Sequence, residues 1–406
     1  MFWTILVAIY LLIDLYAYQA FKSFARGNFL YIVYLLLSVI VIGNLIFQFN
    51  FAKDSSWGEG RGFAMGFFLA MLSLKTILML FLFGEDLARL FVGGYRKLFG
   101  QEKEFDLPSR RRFVSQVALG LAAIPFSSLL YGMHKGRYNY KVFTHTLYFE
   151  DLPEAFDGYR ISQISDIHSG SFKSREEVEY GLNMLNDQKS DMVLFTGDLV
   201  NNTSSEMKEW KELFGGIKAK DGVYSVLGNH DYGDYYRWDS EKEKRANMEE
   251  MKNVQAEMGW DLLLNEHRII ERGNERIALV GVENWGLGFK QAGDLQQASE
   301  GLDEKDFKVL LSHDPTHWQA EVKKDPKFFH LTLSGHTHGM QFGIEIPGWF
   351  RWSPAKLRYK NWAGMYEEYG RYLNVNRGFG YIGYPGRVGI WPEITVIELR
   401  KGSRPV

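Results

Sequence analysis

Five short stretches carry histidine, aspartate or asparagine at spacings that could hold ions. "SGHTHGMQ" (334–341) sets His336 and His338 two residues apart between glycines, in a chain with only 10 histidines. "SDIHSG" (165–170) sets Asp166 two residues before His168. Gly197 and Asp198 close "SDMVLFTG", Asn229, His230 and Asp231 close "GVYSVLG", and His313 follows "FKVLLS". Side chains alternate along an extended segment, so a pair at i and i+2 faces one way and could grip one ion or two adjacent ions. Imidazole and carboxylate together suit borderline and hard divalent ions such as Mn, Fe and Zn. So many donors are too many for one ion but right for two that share a bridging carboxylate.

Each of these groups comes just after a run of Val, Leu, Ile or Phe that reads as a buried strand. Between the runs lie helix-like stretches, "SREEVEYGLNMLNDQ" (174–188) and "SEKEKRANMEEMKNVQAEMG" (240–259). That order predicts an α/β sandwich, and in such sheets sites form in the crevice at strand C-terminal ends. The neighbouring glycines let the backbone turn tightly against an ion. Asp198, ending the second strand, is expected between Asp166 on the first and Asn229 on the third, where a bridging group belongs.

The first third of the chain is of another kind. Residues 2–21, 29–49, 63–83 and 113–133 are each apolar and long enough to cross a bilayer, for which about 20 residues suffice. The mean hydropathy of −0.22 hides this division. A net charge of −2 gives no reason to expect a nucleic-acid partner. The absence of cysteine excludes disulfides, thiolate metal sites and cysteine nucleophiles. The expected organisation is a membrane region at 1–133, a linker at 134–143 and a catalytic domain at 144–406.

Lys and Arg favour cytoplasmic loops. Lys22, Arg26, Arg89, Arg96, Lys97, Lys103, Arg110, Arg111 and Arg112 fall on one side of a four-helix arrangement, and Lys53, Arg61, Lys135, Arg137 and Lys141 on the other. The bias puts the C-terminal domain outside the cytoplasm, in a multi-pass protein of the cell membrane. "SRRRFVS" (109–115) reads either as an internal twin-arginine export signal or as arginines anchoring a helix end. Asp14 and Lys75 lie inside apolar runs and could meet at one depth, since charges there need partners. The alternative is a Lys75 that snorkels to the interface and a hydrated or neutral Asp14.

In order, D-x-H, G-D, G-N-H-D, a strand-end His and G-H-x-H resemble the calcineurin-like metallophosphoesterases, over roughly residues 144–400. The N-terminal helices and "NRGFGYIGYPGRVGIWPEITVIELR" (376–400) are similar to the branch of transmembrane proteins with a metallophosphoesterase domain. The resemblance implies an αββα sandwich and a hydrolase of phosphoric esters, of phosphodiesterase or pyrophosphatase type, with two divalent ions. It implies that Asp166, His168 and His338 hold one ion, that Asn229, His313 and His336 hold the other, and that Asp198 bridges them. It gives His230 a general-acid role at the leaving oxygen, with Asp231 beside it to orient His230 or a bound group. A catalytically silent scaffold that keeps the fold is the alternative, against which stands the full ligand set.

Of the remaining candidates, His317 reads as a surface residue, and His134, His145, His267 and His330 as structural. Arg387 on a glycine-rich turn could meet a substrate phosphate or simply hold the turn. The segment 345–370 mixes Trp349, Phe350, Trp352, Tyr359 and Trp362 with Arg351, Lys356, Arg358 and Lys360. Such a mixture suits either a membrane interface with phosphorylated headgroups or an ordinary hairpin packed over the sheet. The expected substrate is a phosphorylated small molecule or lipid.

Overall fold

A computed structural model of the chain describes residues 2–24, 29–51, 59–99, 108–346 and 349–404. Arg26, Lys53 and Lys103 lie outside the described residues. The chain divides into two units, the first ending at His134 and the second taking up at Lys135.

The first unit consists of α1 (Phe2–Phe24), α2 (Phe29–Asn50), α3 (Glu59–Leu98) and α4 (Pro108–His134). All four are long and apolar enough to cross a membrane. Leu12, Leu15, Leu36, Val39 and Ile40 face outward, while Ala17, Ala20, Ala118 and Ala122 are buried where helices meet. Lipid tails are as apolar as leucine, so close backbone approach at small residues holds such a bundle together. At 40 residues, α3 is about 60 Å long, twice the hydrocarbon thickness. Arg89, Arg96 and Lys97 therefore ride on a helix rather than on the loop expected after residue 83. No proline interrupts this extension, and Arg89 pairs with Glu85 one turn back at 3.1 Å.

Asp14 and Lys75 do meet. Lys75 Nζ lies 2.9 Å from Asp14 Oδ1, donates to Ser38 Oγ at 2.7 Å and sits 3.1 Å from the centroid of the Tyr10 ring. Asp14 also accepts from Ser38 Oγ at 2.7 Å and from the Tyr34 hydroxyl. Both charges are paired, hydrogen-bonded and hidden from lipid. Near the start of α4, Arg111 reaches Glu85 at 3.2 Å and also bonds Asp86 and Gln19. At least this arginine of the "SRRRF" stretch ties helices together.

The second unit is a sandwich of two six-stranded sheets with a small hairpin. Its strands are β1 (Lys141–Phe149), β2 (Tyr159–Ile164), β3 (Met192–Phe195), β4 (Val223–Ser225), β5 (Trp260–Leu262), β6 (Glu266–Arg272) and β7 (Glu275–Gly281). They continue as β8 (Lys308–Leu311), β9 (Leu331–Ser334), β10 (Ile344–Ile346), β11 (Phe350–Trp352), β12 (Gly364–Glu368), β13 (Arg371–Val375) and β14 (Glu393–Lys401). One sheet has the order β1-β14-β2-β3-β4-β5, the other β12-β13-β9-β8-β7-β6, and β10 pairs only with β11. Because β1 begins at Lys141 and pairs along its length with β14, the last residues of the expected 134–143 linker already belong to a sheet.

Leu147, Ile161, Leu194, Leu279, Val309 and Leu333 fill the space between the sheets. Burial on both faces explains why β3 and β8 read as near-continuous apolar runs, while β2 and β9, also buried, still alternate apolar and polar residues. The two predicted helices are α5 (Arg175–Asn186) and α7 (Glu241–Glu257), capped by Ser174 and Ser240, with a four-residue α6 (Lys211–Phe214) between them. Val178, Leu182, Leu185, Met251 and Val254 pack them on one outer face. The short α8 (Leu295–Ala298) and α9 (Pro315–Ala320) cover the other. The result is the expected αββα layering, with β2, β3 and β4 adjacent and parallel and β8 beside β9.

Breaking the intramembrane pair on one side leaves a bare buried charge, which costs about 3–5 kcal/mol where such pairs have been dissected in proteins. Lys75→Met should therefore lower the thermal midpoint of the detergent-solubilised protein more than the double variant Asp14→Asn/Lys75→Met. Equal losses from the single and double variants would mean that the two charges are not coupled.

Candidate metal centre

The donors predicted from sequence converge where β2, β3, β4, β8 and β9 end. None of them sits on a strand. Each lies in the turn just beyond, and Asp166, His168, Asp198, His336 and His338 all have φ between 48° and 68°. That left-handed region costs a residue with a Cβ about 1–3 kcal/mol and persists only where the surroundings over-determine it. The i, i+2 pairs are thus not extended, yet Asp166 and His168 still converge on one group of ligand atoms, as their spacing predicted. His336 and His338 point to different clusters.

Main-chain bonds between the turns supply the over-determination. Asp166 N–H donates to the Gly197 carbonyl, His168 N–H to that of Asp198, and Gly380 N–H to that of Asp166, at 2.9–3.1 Å. Two glycines are obligatory. A Cβ on Gly335 would fall 1.9 Å from Ser165 Oγ and 2.2 Å from Asp166 Oδ2, and one on Gly228 would fall 2.2 Å from Asp198 Oδ1.

Two groups of potential ligand atoms result, Asp166 with His168 and His338, and Asp198 with His313 and His336. Asp198 Oδ2 lies 3.2 Å from His313 Nε2 and 3.6 Å from His168 Nε2, so its carboxylate stands between the groups. His168 Nε2 faces His338 Nε2 at 3.0 Å, and His338 Nε2 is 3.2 Å from Asp166 Oδ1. His313 Nδ1 donates to the Thr196 carbonyl at 2.7 Å, which leaves Nε2 for the centre. His336 Nε2 meets the Tyr359 hydroxyl at 2.9 Å and Asp314 Oδ2 at 3.4 Å, which leaves Nδ1. Partners of this kind fix the tautomer of a metal-binding histidine.

The test of fit is what remains unsatisfied. Buried polar atoms are normally hydrogen-bonded. Among the described residues, His313 Nε2, His336 Nδ1, His168 Nδ1 and Asn229 Oδ1 are buried without a hydrogen-bond partner. His313 Nε2 is close to Asp198 but not aligned for a hydrogen bond. His336 Nδ1 and Asn229 Oδ1, with His313 Nε2 once it gives up its proton, offer lone pairs that fit a divalent cation, and the donor set fits Mn, Fe or Zn.

Burial opposes charge on His168, His336, His313, Asp166 and Asp198, and the neighbours decide how far it prevails. His168 is pushed well below the usual histidine range, chiefly by burial. His336 is lowered to about 4 by burial, against the pull of Asp314. Burial would lower His313 as well, but the Asp198 charge beside it raises it to about 10. The carboxylates of Asp166 and Asp198 are held well below their ordinary range, because the histidines outweigh burial.

Asp231, predicted in the catalytic pair, has its carboxylate committed elsewhere. It accepts main-chain N–H groups from Gly228, Asp198, Leu199 and Val200 at 2.8–3.3 Å. Burial and the Asp198 charge push it up to about 7 despite those bonds. It is fully buried and positions two turns rather than touching the cleft. His230 lines the cleft, with Nδ1 tied to the Asn201 carbonyl at 2.7 Å and its N–H donated to Asp198 Oδ1 at 2.8 Å.

Arg387 does not reach the cleft. Its guanidinium is buried behind His338, donating to the carbonyls of Arg377 and Gly380 and lying 3.2 Å from His338 Nδ1. His317 is also buried, contrary to its reading as a surface residue, between Ser312, Glu321 and the Trp285 ring. His330 joins β8 to Asp151 and is structural.

The cleft over the centre measures about 320 Å³ and is walled by Tyr235, Phe289, Arg358 and Tyr359. Tyr235 accepts from Asn229 Nδ2 at 2.9 Å and packs on His230. Tyr235 and Asp314 carried no signal in the sequence beyond their nearness to a motif, and Phe289 carried none. They come from turns that only the packed sheets bring together.

Comparison with known proteins agrees. The family described as "Calcineurin-like phosphoesterase" matches residues 159–340, and "Probable Calcineurin-like phosphoesterase, transmembrane domain" matches residues 1–137. The chain belongs to the calcineurin-like phosphoesterases that carry a transmembrane domain. The uncharacterized metallophosphoesterase YkuE of Bacillus subtilis is 29% identical over 260 residues, 63% of this chain and 84% of that protein. The "Transmembrane protein with metallophosphoesterase domain" of Danio rerio is 29% identical over 281 residues, 67% of this chain and 60% of the fish protein. The uncharacterized metallophosphoesterase YkoQ of Bacillus subtilis is 26% identical over 288 residues, 70% of this chain and 99% of that protein.

His313 must surrender a proton for its Nε2 to bind a cation. Its raised pKa means that the proton stays on at neutral pH and leaves more easily as pH rises. Apparent Mn affinity, measured by calorimetry, should climb about tenfold per pH unit between about pH 6 and pH 8, as one displaced proton requires. A flat profile would show that no ligand carries a proton there.

Proposed function

We propose that this protein is a membrane-anchored phosphoesterase that hydrolyses a phosphoester or pyrophosphate bond of a lipid-linked substrate. The observation that supports the reading is the Asp198 carboxylate lying between two groups of potential ligand atoms, one of which holds buried atoms without a hydrogen-bond partner. Asp166, His168 and His338 would hold one divalent ion, Asn229, His313 and His336 the second, with Asp198 shared. Bound there, the ions would supply charge that neutralises phosphoryl oxygens and acidifies a water.

The chain's own residues supply the rest. His230, with Nδ1–H fixed on the Asn201 carbonyl, would in its imidazolium form give the Nε2 proton to the leaving oxygen and be left as the Nδ1–H tautomer. Tyr235 holds the Asn229 amide so that its Oδ1 is offered to the centre. Phe289 and Tyr359 narrow the cleft around His336, and Arg358 adds a positive charge at its rim. The membrane region and the aromatic, basic segment 345–370 support a lipid-linked substrate.

Asp198→Asn should abolish most Mn-dependent hydrolysis of bis-(p-nitrophenyl) phosphate and lower metal content, with the fold kept. His230→Ala should keep its metal and lose about 10²–10⁴-fold in turnover, and less for nitrophenolate than for a poor leaving group. Full activity in Asp198→Asn would sink the two-ion reading, and metal loss in His230→Ala would make that residue a ligand. An inactive wild-type protein with metal bound would favour the scaffold.

The excess of Lys and Arg at Lys22, Arg89, Arg96, Lys97, Arg110, Arg111 and Arg112 supports an extracytoplasmic catalytic domain. Alkaline phosphatase fused after residue 406 should be active. A fusion that is active only as a cytoplasmic fluorescent protein would reverse the orientation.

A further inference from the structure

The β10–β11 hairpin is built inside out. Its register pairs Ile344 with Trp352 and Ile346 with Phe350, so these four apolar side chains share one face. Glu345 and Arg351, paired with each other, share the opposite face. In a water-soluble hairpin the charged face would look outward. Here Glu345 turns in to the buried Arg377 at 2.6 Å, and Arg351 turns in to the Ala363 carbonyl at 2.6 Å. The apolar face is left outside, every member at least 43% exposed. Trp349, 81% exposed, stands against Phe350 and extends it, and Leu357, 87% exposed, follows β11 by five residues. Contiguous exposed apolar patches of this kind mark interaction sites.

We propose that this face docks on the lipid bilayer and seats the mouth of the cleft at the headgroup level. Three observations favour lipid over another occupant. First, a membrane is always within reach: only six residues, 135–140, separate the end of α4 from the start of β1, and a tether that short spans at most about 25 Å. Second, the patch is tryptophan and phenylalanine mixed with isoleucine and leucine, the composition that settles at membrane interfaces. Exposed Lys356 and Arg358 flank Leu357, where they can meet headgroup phosphates. Third, the patch adjoins the cleft. Ser353 Oγ, just after β11, donates to the Gly339 carbonyl at 2.6 Å, and Arg358, next to Leu357, lines the cleft. Met340 lines it too and is itself exposed. A cleft of about 320 Å³ takes a headgroup and leaves acyl chains outside. The docked hairpin would let those chains stay in the bilayer. The inference shares the lipid setting of the function proposed above but does not depend on which bond is cleaved.

The test reads lipid contact, not turnover, so its failure is separate from failure of the catalytic reading. The chain has no cysteine, so one introduced cysteine reports one position. Full-length Trp349→Cys, labelled with the fluorophore NBD, is placed in phosphatidylcholine–phosphatidylglycerol nanodiscs with and without acyl-chain nitroxide lipid. Tyr180→Cys on α5, at a site 56% exposed, is the control. The probe at 349 should emit to the blue and lose most of its emission to nitroxide lipid, while the control keeps its own. The triple variant Ile344→Ser/Trp349→Cys/Phe350→Ser should lose that quenching yet keep wild-type metal content, showing an intact fold. Water-like emission at 349, or equal quenching at both sites, would overturn the proposal. So would blue emission untouched by nitroxide lipid, which would assign the face to a second copy or another protein.

Discussion

One carboxylate holds the centre in shape without lining the cleft. Asp231 gathers four main-chain N–H groups, one from the turn after β4 and three from the turn after β3. Those turns carry Asp198, Asn229 and His230. If they drifted apart, the bridging carboxylate would no longer stand between the two donor groups, and the His230 N–H would lose Asp198 Oδ1. Burial makes this bond set costly to break, since an unpaired N–H or carboxylate in that position has no water to turn to.

The same logic explains the backbone at the site. Five side chains aimed at one small volume cannot all leave strands in relaxed conformations, and the left-handed φ values show where that tension is kept. Glycine at 228 and 335 removes the atoms that would collide with Asp198 and Asp166. Arg387, behind His338, braces the 377–380 turn from the far side. Rigid sheets and cross-bonded turns thus hold the donors ready, so that little ordering remains to be done when an ion arrives.

Charge and apolar surface are arranged against habit in both units. In the helical unit, Asp14 and Lys75 are inside, satisfied by each other and by Ser38 and Tyr34. The reason is lipid, which offers neither charge nor hydrogen bond. In the hairpin, Glu345 and Arg351 are inside and the aromatic face is out. Each reversal makes sense for a protein whose surroundings are partly hydrocarbon.

The ordered ligand motifs, the four apolar spans and the layered α/β class were legible before folding, because they are local patterns of residue type, spacing and run length. The place of Asp198 at the middle strand end was legible in the same way. Everything that depends on direction came from packing. Spacing left open whether His336 and His338 serve one group or two; the family resemblance implied two, and left-handed φ values turn the two side chains apart. Asp231 and Arg387 looked like catalytic or substrate-binding residues in the motif, and folding turned both toward main-chain groups. Phe289 joined the site only because a distant turn meets it there, and Tyr235 and Asp314, close to motifs in sequence, gained a role only from the side chains they face. The hairpin's apolar face was legible as composition, but which side it presents followed from where Arg377 lies, and no local pattern carries that position.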